Sequence, residues 1–239
     1  MTDFNNSTPE DQTKIEKVSH SINVNLPPEE QAERDEYDII PTLNGMGYMY
    51  ERYYPNVNEY VQAYFNNIPN VDGPILDIGV AYGVTVQDAL LLGAKVIANE
   101  IYPPHLDIVK ENISELYKDR VTFDTGRFPN ETNFEPNSLG AILASRVFNF
   151  LSGEEIEEGL EKMFTWLKPG GKVYVIAETI HKNLFQAFIA EHMKRKSQNH
   201  YWPGEMENLH SKMPKRQNHL PNHLHFLDEN VLSRSFKKV

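Results

Sequence analysis

The chain has 239 residues, 40% hydrophobic and 24% charged, which suits one globular domain or one domain with an added cap and excludes disorder throughout. No apolar run approaches the ~18 residues of a membrane-spanning helix, Met1 to Ser7 lacks a signal-peptide pattern, and the absence of cysteine excludes disulfides, thiolate metal sites and cysteine nucleophiles. A soluble cytoplasmic protein with no membrane partner is expected.

The formal net charge of −11 is uneven: residues 1–180 hold 13 Lys/Arg against 29 Asp/Glu, and residues 181–239 hold 10 against 5. An acidic body repels phosphate backbones, so DNA is disfavoured and an RNA contact would have to use the basic C-terminal segment.

Residues 1–36 are polar and acidic without a sustained apolar period, which predicts a mobile arm. A stretch with Tyr48, Tyr50, Tyr53 and Tyr54 comes next. It leads into helical spacing in which Val57, Val61, Tyr64, Phe65 and Ile68 share one face up to Pro69, so residues 37–72 are read as a helical cap. From Gly73 onward short apolar runs alternate with amphipathic helices, the pattern of βαβ units and a largely parallel sheet.

Strands are predicted at 74–78, 95–99, 121–123, 140–144 and 172–177. Helices are predicted after Gly83 (84–92) and at 103–117, where prolines sit at the start and a missing N–H is harmless. Another helix opens at Ser152, whose spacing to Glu155 is that of a capping box, and carries Ile156, Leu160, Met163, Phe164 and Leu167 as a stripe. Residues 73–180 thus form an α/β core. In residues 181–239, helices at 183–196 and 228–236 flank a stretch, 197–226, with five His, four Asn, three Pro and no period, read as a long functional loop.

The chemistry concentrates in Ile75-Leu76-Asp77-Ile78-Gly79-Val80-Ala81-Tyr82-Gly83, a strand running through small residues into a helix. Small residues let backbone approach a ligand, and a helix N-terminus behind them offers unpaired N–H groups. The next strand ends in Glu100, 17 residues past Gly83, whose two acceptor oxygens match the two hydroxyls of a ribose. A nucleoside-containing ligand at the carboxyl edge of the sheet is the implication. Gly79, Ala81 and Val84 fit a dinucleotide fingerprint poorly, and no Gly-Lys-Ser/Thr phosphate loop is present.

Asp77 to Gly83 resembles the first motif, D/E-x-G-x-G-x-G, of the class I S-adenosylmethionine-dependent methyltransferases, with Ala81 in place of the middle glycine. Glu100 matches the family's ribose-binding acid, Ile101 its adenine-side apolar residue, and Leu167-Lys168-Pro169-Gly170-Gly171 its turn before the fifth strand. The resemblance covers roughly Tyr60 to Glu178.

It implies a Rossmann-like, doubly wound, mostly parallel sheet, S-adenosylmethionine as cofactor, and methyl transfer by in-line displacement. The cofactor residues it implies are Asp77, Gly79, Val80, Ala81, Tyr82, Gly83, Glu100, Ile101, Arg127, Phe128 and Ser145. Where the family usually has Gly-Asp after the third strand this chain has Gly126-Arg127-Phe128, so adenine is expected to rest on backbone and on Phe128 or Ile101. The family's closing antiparallel hairpin is expected to lie beyond Phe236-Lys237-Lys238-Val239, the alternative being a five-stranded sheet.

Ser145, Arg146 and Asn149 follow the fourth strand, where the acceptor is presented, and the Asn/Asp-Pro-Pro-Tyr/Phe signature of nucleic-acid amino-methylation is absent there. Arg146 would pair with an anionic substrate or, equally, with Glu154 or Glu155. Substrate-side candidates are therefore Tyr48, Tyr53, Tyr54, Arg146, Asn149 and Trp202. His105 reads as a helix-capping residue, and no metal site is predicted from His219, His223 and His225. A small, perhaps anionic, molecule is the expected acceptor. The alternatives are a protein or RNA acceptor docked on the basic segment, or a non-catalytic S-adenosylmethionine- or NAD-binding protein.

Overall fold

A computed structural model describes residue 28, residues 39–50 and residues 59–239. The remainder of the expected arm and the candidates Tyr53 and Tyr54 lie outside the described residues. The elements are β1 (Ile39–Pro41), β2 (Tyr48–Tyr50), α1 (Glu59–Asn67), β3 (Ile75–Ile78), α2 (Val84–Leu91), β4 (Val96–Glu100), α3 (Pro103–Asn112), β5 (Val121–Thr125), β6 (Leu139–Ser145), α4 (Gly153–Trp166), β7 (Leu167–Ile176), α5 (Gln186–Ser197), β8 (Glu205–Glu207), α6 (Leu209–Lys212), β9 (His223–His225) and α7 (Glu229–Phe236). Among them no helix is long and apolar enough to cross a membrane.

Five parallel strands form the central sheet in the order β5-β4-β3-β6-β7. The chain runs outward from β3 through β4 to β5, then returns to the other side of β3 for β6 and β7. The order therefore reverses between β3 and β6, where Ile78 sits beside Ala144. Open α/β sheets bind ligands in the crevice at such a reversal. Two apolar layers sandwich the sheet. Val61, Tyr64 and Phe65 of α1 join Val86 and Leu90 of α2 and Leu106 and Val109 of α3 in one; Ile156, Leu160, Met163 and Trp166 of α4 join Leu76, Ile78 and Val231 in the other.

Local chemistry fixes several boundaries. Ser152 and Glu155 form the expected capping box at the start of α4, each side chain taking the other's backbone N–H. Lys168 to Gly171 lie within the span of β7 as an irregularity, since Leu139 pairs with Leu167 while Ala141 pairs with Lys172. Helix α3 stops at Asn112 instead of 117, because the Ser114 hydroxyl caps a 3-10 turn by accepting from Leu116 N–H, and Leu116 is 80% exposed.

Two expectations are corrected. Residues 39–50, assigned to a helical cap, form an antiparallel β1–β2 hairpin with Ile40 opposite Met49. Pro41 cannot donate within a helix, and Gly45 and Gly47 take positive φ values of 67° and 136° that turn the chain back. Residues 197–226 are not a structureless loop: β8 and β9 pair antiparallel, and Met206 and Leu224, directly opposite, enter a third apolar cluster with Phe185, Phe188, Leu209 and Phe226. That cluster stabilises strands of three residues that could not persist alone. Among the described residues the central sheet has five strands and no antiparallel member.

Candidate active site

The turn after β3 carries three left-handed residues at alternate positions, Gly79 (φ 68°), Ala81 (φ 45°) and Gly83 (φ 77°). This is the physical reason for small residues at that spacing, and Ala81 is the strained member. A single carboxylate holds it: Glu100 Oε2 accepts from Ala81 N–H at 2.9 Å and Oε1 from Tyr102 N–H at 3.0 Å. The carbonyl of the preceding residue, Asn99, accepts from Gly79 and Val80 N–H, while its amide donates to Asp124 at 2.8 Å. The end of β4 therefore braces the turn from below.

Asp77, 2% exposed, accepts the Thr85 hydroxyl at 2.5 Å. Burial pushes its carboxyl up to about 7; the Thr85 hydrogen bond opposes this and the charge of Glu100 adds to it.

A cavity of about 390 Å³ runs from this turn across the sheet edge, within the range of small-ligand sites. Asp77, Gly79, Val80, Ala81, Glu100, Ile101, Arg127, Phe128 and Ser145 line it, as do Tyr48, Arg146 and Asn149. Ile101 is 44% exposed. Phe128 belongs mainly to the core, stacked 6.4 Å from Phe148 and edge-on to Trp166. Arg127 binds Glu155 at 2.5 Å.

Other expected residues sit elsewhere. Tyr82 and Gly83 do not line the cavity. The Tyr82 ring is fully buried against Ile40, Met49 and Val84, and its hydroxyl donates to Pro41 O at 2.7 Å, because the β1–β2 hairpin docks on that side of the turn. Trp202 packs edge-on to Tyr201 and His225 and lies so close to Gly153 that a Cβ there would sit 2.0 Å from its ring.

Arg146 pairs with neither Glu154 nor Glu155 but with Glu178 at 2.7 Å, for Glu155 is taken by the capping box and Arg127. Asn149 is a brace: it exchanges hydrogen bonds with the Glu178 backbone at 3.1 and 2.9 Å and donates to His225 O at 2.7 Å. His225 is buried, its Nδ1 on Leu151 O, and burial pushes its pKa down to about 4.

The second half of the cavity was not foreseen. The hairpin contributes Met46 and Met49, the C-terminal unit Leu184, Phe185, Leu220 and Leu224, and the charged side chains Glu178, Lys182 and Arg216 complete it. Glu178 pairs with both Arg146 and Lys182. Burial pushes its pKa up, but the hydrogen bond from Lys182 and the attraction of Arg146 outweigh this and hold it below the usual carboxylate value. Arg216 donates to the Tyr48 hydroxyl at 2.6 Å, joining the C-terminal unit to the hairpin across the cavity mouth. These partners lie far apart in sequence, so no local signal announces them. A pocket of one half nucleoside-sized cradle and one half cationic, apolar chamber can hold a cofactor and an acceptor side by side.

Residues 75–171 match the family model of a methyltransferase domain. Over 152 residues the chain is 27% identical to an uncharacterized methyltransferase of Anoxybacillus flavithermus, covering 60% of this chain and 66% of that protein. Over 110 residues it is 24% identical to phosphoethanolamine N-methyltransferase 1 of Triticum aestivum, covering 46% of this chain and 22% of that protein. The chain thus spans about a fifth of one curated relative and just under two thirds of the other. In structure it resembles a SAM-dependent methyltransferase from Methanosarcina mazei with a TM-score of 0.56 at 16% identity, over 73% of this chain and 82% of that one, a likeness of fold. Residues 75–171 thus carry the match to a methyltransferase domain, on a fold like that of the Methanosarcina mazei protein.

Proposed function

We propose that this protein binds S-adenosylmethionine in the Gly79–Glu100 cradle and transfers its methyl group to a small anionic acceptor in the adjoining chamber. The observation that carries the reading is the continuity of the cavity: the turn and Glu100 open into a space lined by Arg146, Lys182 and Arg216. The chain as a whole is acidic, so three cations gathered on one chamber support an acceptor with a carboxylate or phosphate. Leu184, Phe185, Leu220 and Leu224 support an apolar body on the same molecule.

The residues fit the cofactor. Each Glu100 oxygen accepts one backbone N–H and, as a carboxylate oxygen, has capacity for a sugar hydroxyl. Ser145 Oγ is buried at the cavity wall without a hydrogen-bond partner among the described residues, an acceptor and donor available to a ligand. When bound, S-adenosylmethionine supplies an activated methyl group that leaves a neutral thioether.

The protein's share is then positioning and exclusion of water. The turn fixes one reactant, Arg146 and Lys182 orient the other, and the hairpin and C-terminal unit cover both. Glu178, held ionised by two cations, is a weak base, which favours an acceptor atom that is nucleophilic without help.

A macromolecular acceptor is less well supported, since Arg195, Lys196 and Lys212 of the basic segment pair with Glu191, Asp228 and Glu191 and none of them lines the cavity. The test is incubation with methyl-tritiated cofactor and a fractionated cell extract. Label in a low-mass fraction retained by an anion exchanger is the expected result; label in protein or RNA, or none above a heat-killed control, would overturn the reading.

A further inference from the structure

His105 has a task that neither the motif nor the chamber uses. It stands in the first turn of α3, where Pro103 and Pro104 start the helix directly after the Glu100 strand end and bring residue 105 back over that carboxylate. The ring is 1% exposed and clamped edge-on between Tyr82 and Tyr102, each centroid 5.1 Å away, so it has little freedom to turn. Its Nδ1 lies 3.3 Å from Glu100 Oε1. Its Nε2 accepts the backbone N–H of Leu43 at 3.1 Å, across 62 residues.

An acceptor Nε2 carries no proton, so in the neutral ring the proton is on Nδ1, which is buried beside Glu100 Oε1 without a formed hydrogen bond among the described residues. Three neighbouring N–H groups are satisfied within the hairpin: Thr42 N–H by Gly47 O, Gly45 N–H by Thr42 O, Met46 N–H by Asn44 Oδ1. Leu43 alone among these four reaches out of the hairpin, and it reaches the imidazole.

We infer that His105 is a positioning residue that couples occupancy of the Glu100 sugar subsite to closure of the β1–β2 hairpin over the cavity. The inference rests on the reading that Glu100 takes the cofactor sugar. One aromatic ring spans the carboxylate that would grip the ligand and the backbone of the segment, Thr42 to Met49, that lines the cavity from above. A ligand that fixes Glu100 removes the motion left to the ring 3.3 Å away, and a ring held in that place favours the docked hairpin. Linkage makes the effect reciprocal, so a docked hairpin tightens ligand binding by the same factor. Tyr82, through its hydroxyl on Pro41 O, supplies a second tie that keeps the hairpin nearby when the first is cut.

The experiment is amide hydrogen exchange over residues 39–50 of the full chain, free and saturated with S-adenosylhomocysteine, with calorimetry of the same ligand. The proteins are the parent, His105→Asn and His105→Gln. Asn keeps an N–H near the Nδ1 position but is too short for Leu43, whereas the Gln amide oxygen reaches as far as Nε2.

The expected results are that the ligand slows hairpin exchange in the parent, that His105→Asn exchanges about fivefold faster there when free, as befits one lost hydrogen bond, and gains no protection from ligand. His105→Gln should restore part of the protection, a pattern that mere loss of packing would not give. Equal hairpin exchange in His105→Asn and parent, free and bound, overturns the coupling. If the variants do not fold, the parent still decides: ligand that binds without slowing exchange in 39–50 overturns it. A parent that binds no S-adenosylhomocysteine defeats the cofactor reading instead, and is recognised by the calorimetry alone.

Discussion

Glu100 Oε2 accepts the backbone N–H of Ala81 at 2.9 Å, so the carboxylate that closes one strand holds the middle of the turn that closes its neighbour. Turn and carboxylate are one structural unit, and the two ends of the proposed cofactor site cannot move independently.

The turn tolerates a smaller residue better than a larger one. Ala81 sits at φ 45°, where a Cβ costs on the order of 1 kcal/mol, so Ala81→Gly should keep or raise the melting temperature. Gly79→Ala should lower it, since φ is 68° and the new Cβ would lie 2.7 Å from Val147 Cγ2. Adding Val147→Ala should recover the steric part of that loss and leave the backbone part, a split that a double-mutant cycle of thermal unfolding reads directly.

Asp77 gives a pH signature. Its folded pKa of about 7 lies above the ordinary carboxylate value, so between about pH 4 and 7 the folded state binds more protons than the unfolded one. Unfolding free energy therefore falls as pH rises through that window. Asp77→Asn removes the contribution while retaining an oxygen for the Thr85 hydroxyl. The melting temperature of the variant relative to the parent should be several degrees higher at pH 8 than at pH 5; a constant difference would show that Asp77 does not titrate there.

Lys182 tests the chamber. Its ammonium is half exposed and pairs with Glu178, so removing it changes acceptor recognition more than folding. Lys182→Ala should raise KM for an anionic acceptor by about tenfold, roughly 1.4 kcal/mol, with the affinity for S-adenosylhomocysteine within about twofold of the parent. Equal losses in both would mean that the lysine supports the cofactor half.

Trp202 should prove structural. Trp202→Ala is expected to destabilise by about 2 kcal/mol, below the range for a fully buried aromatic, and to leave KM for the acceptor unchanged. A rise in that KM at preserved stability would return Trp202 to the acceptor side.

What could be read from the chain beforehand was what short-range chemistry decides. Ser152 and Glu155 are three residues apart, and the small residues at 79, 81 and 83 answer to the sign of φ at each position. The positions of the five core strands followed from short apolar runs between amphipathic helices, whereas their order in the sheet comes from the structure. The misses share a cause, which is distance along the chain. His105 looks like a helix-start decoration until Leu43, 62 residues upstream, supplies its partner. Tyr82 looks like a cradle residue until the hairpin covers it. Arg146 has acidic residues nearer in sequence, yet Glu178, 32 residues on, takes it. Strands of three residues, as at 205–207 and 223–225, show no period and become visible only through the apolar cluster they complete.

The measurement closest to the centre of the account is a calorimetric titration of S-adenosylhomocysteine into the parent and into Glu100→Ala. Saturable one-site binding to the parent is expected, with a loss of about 1–3 kcal/mol in the variant, roughly fivefold to 150-fold in Kd, for hydrogen bonds to a charged group. Unaltered affinity in a folded Glu100→Ala protein would contradict it.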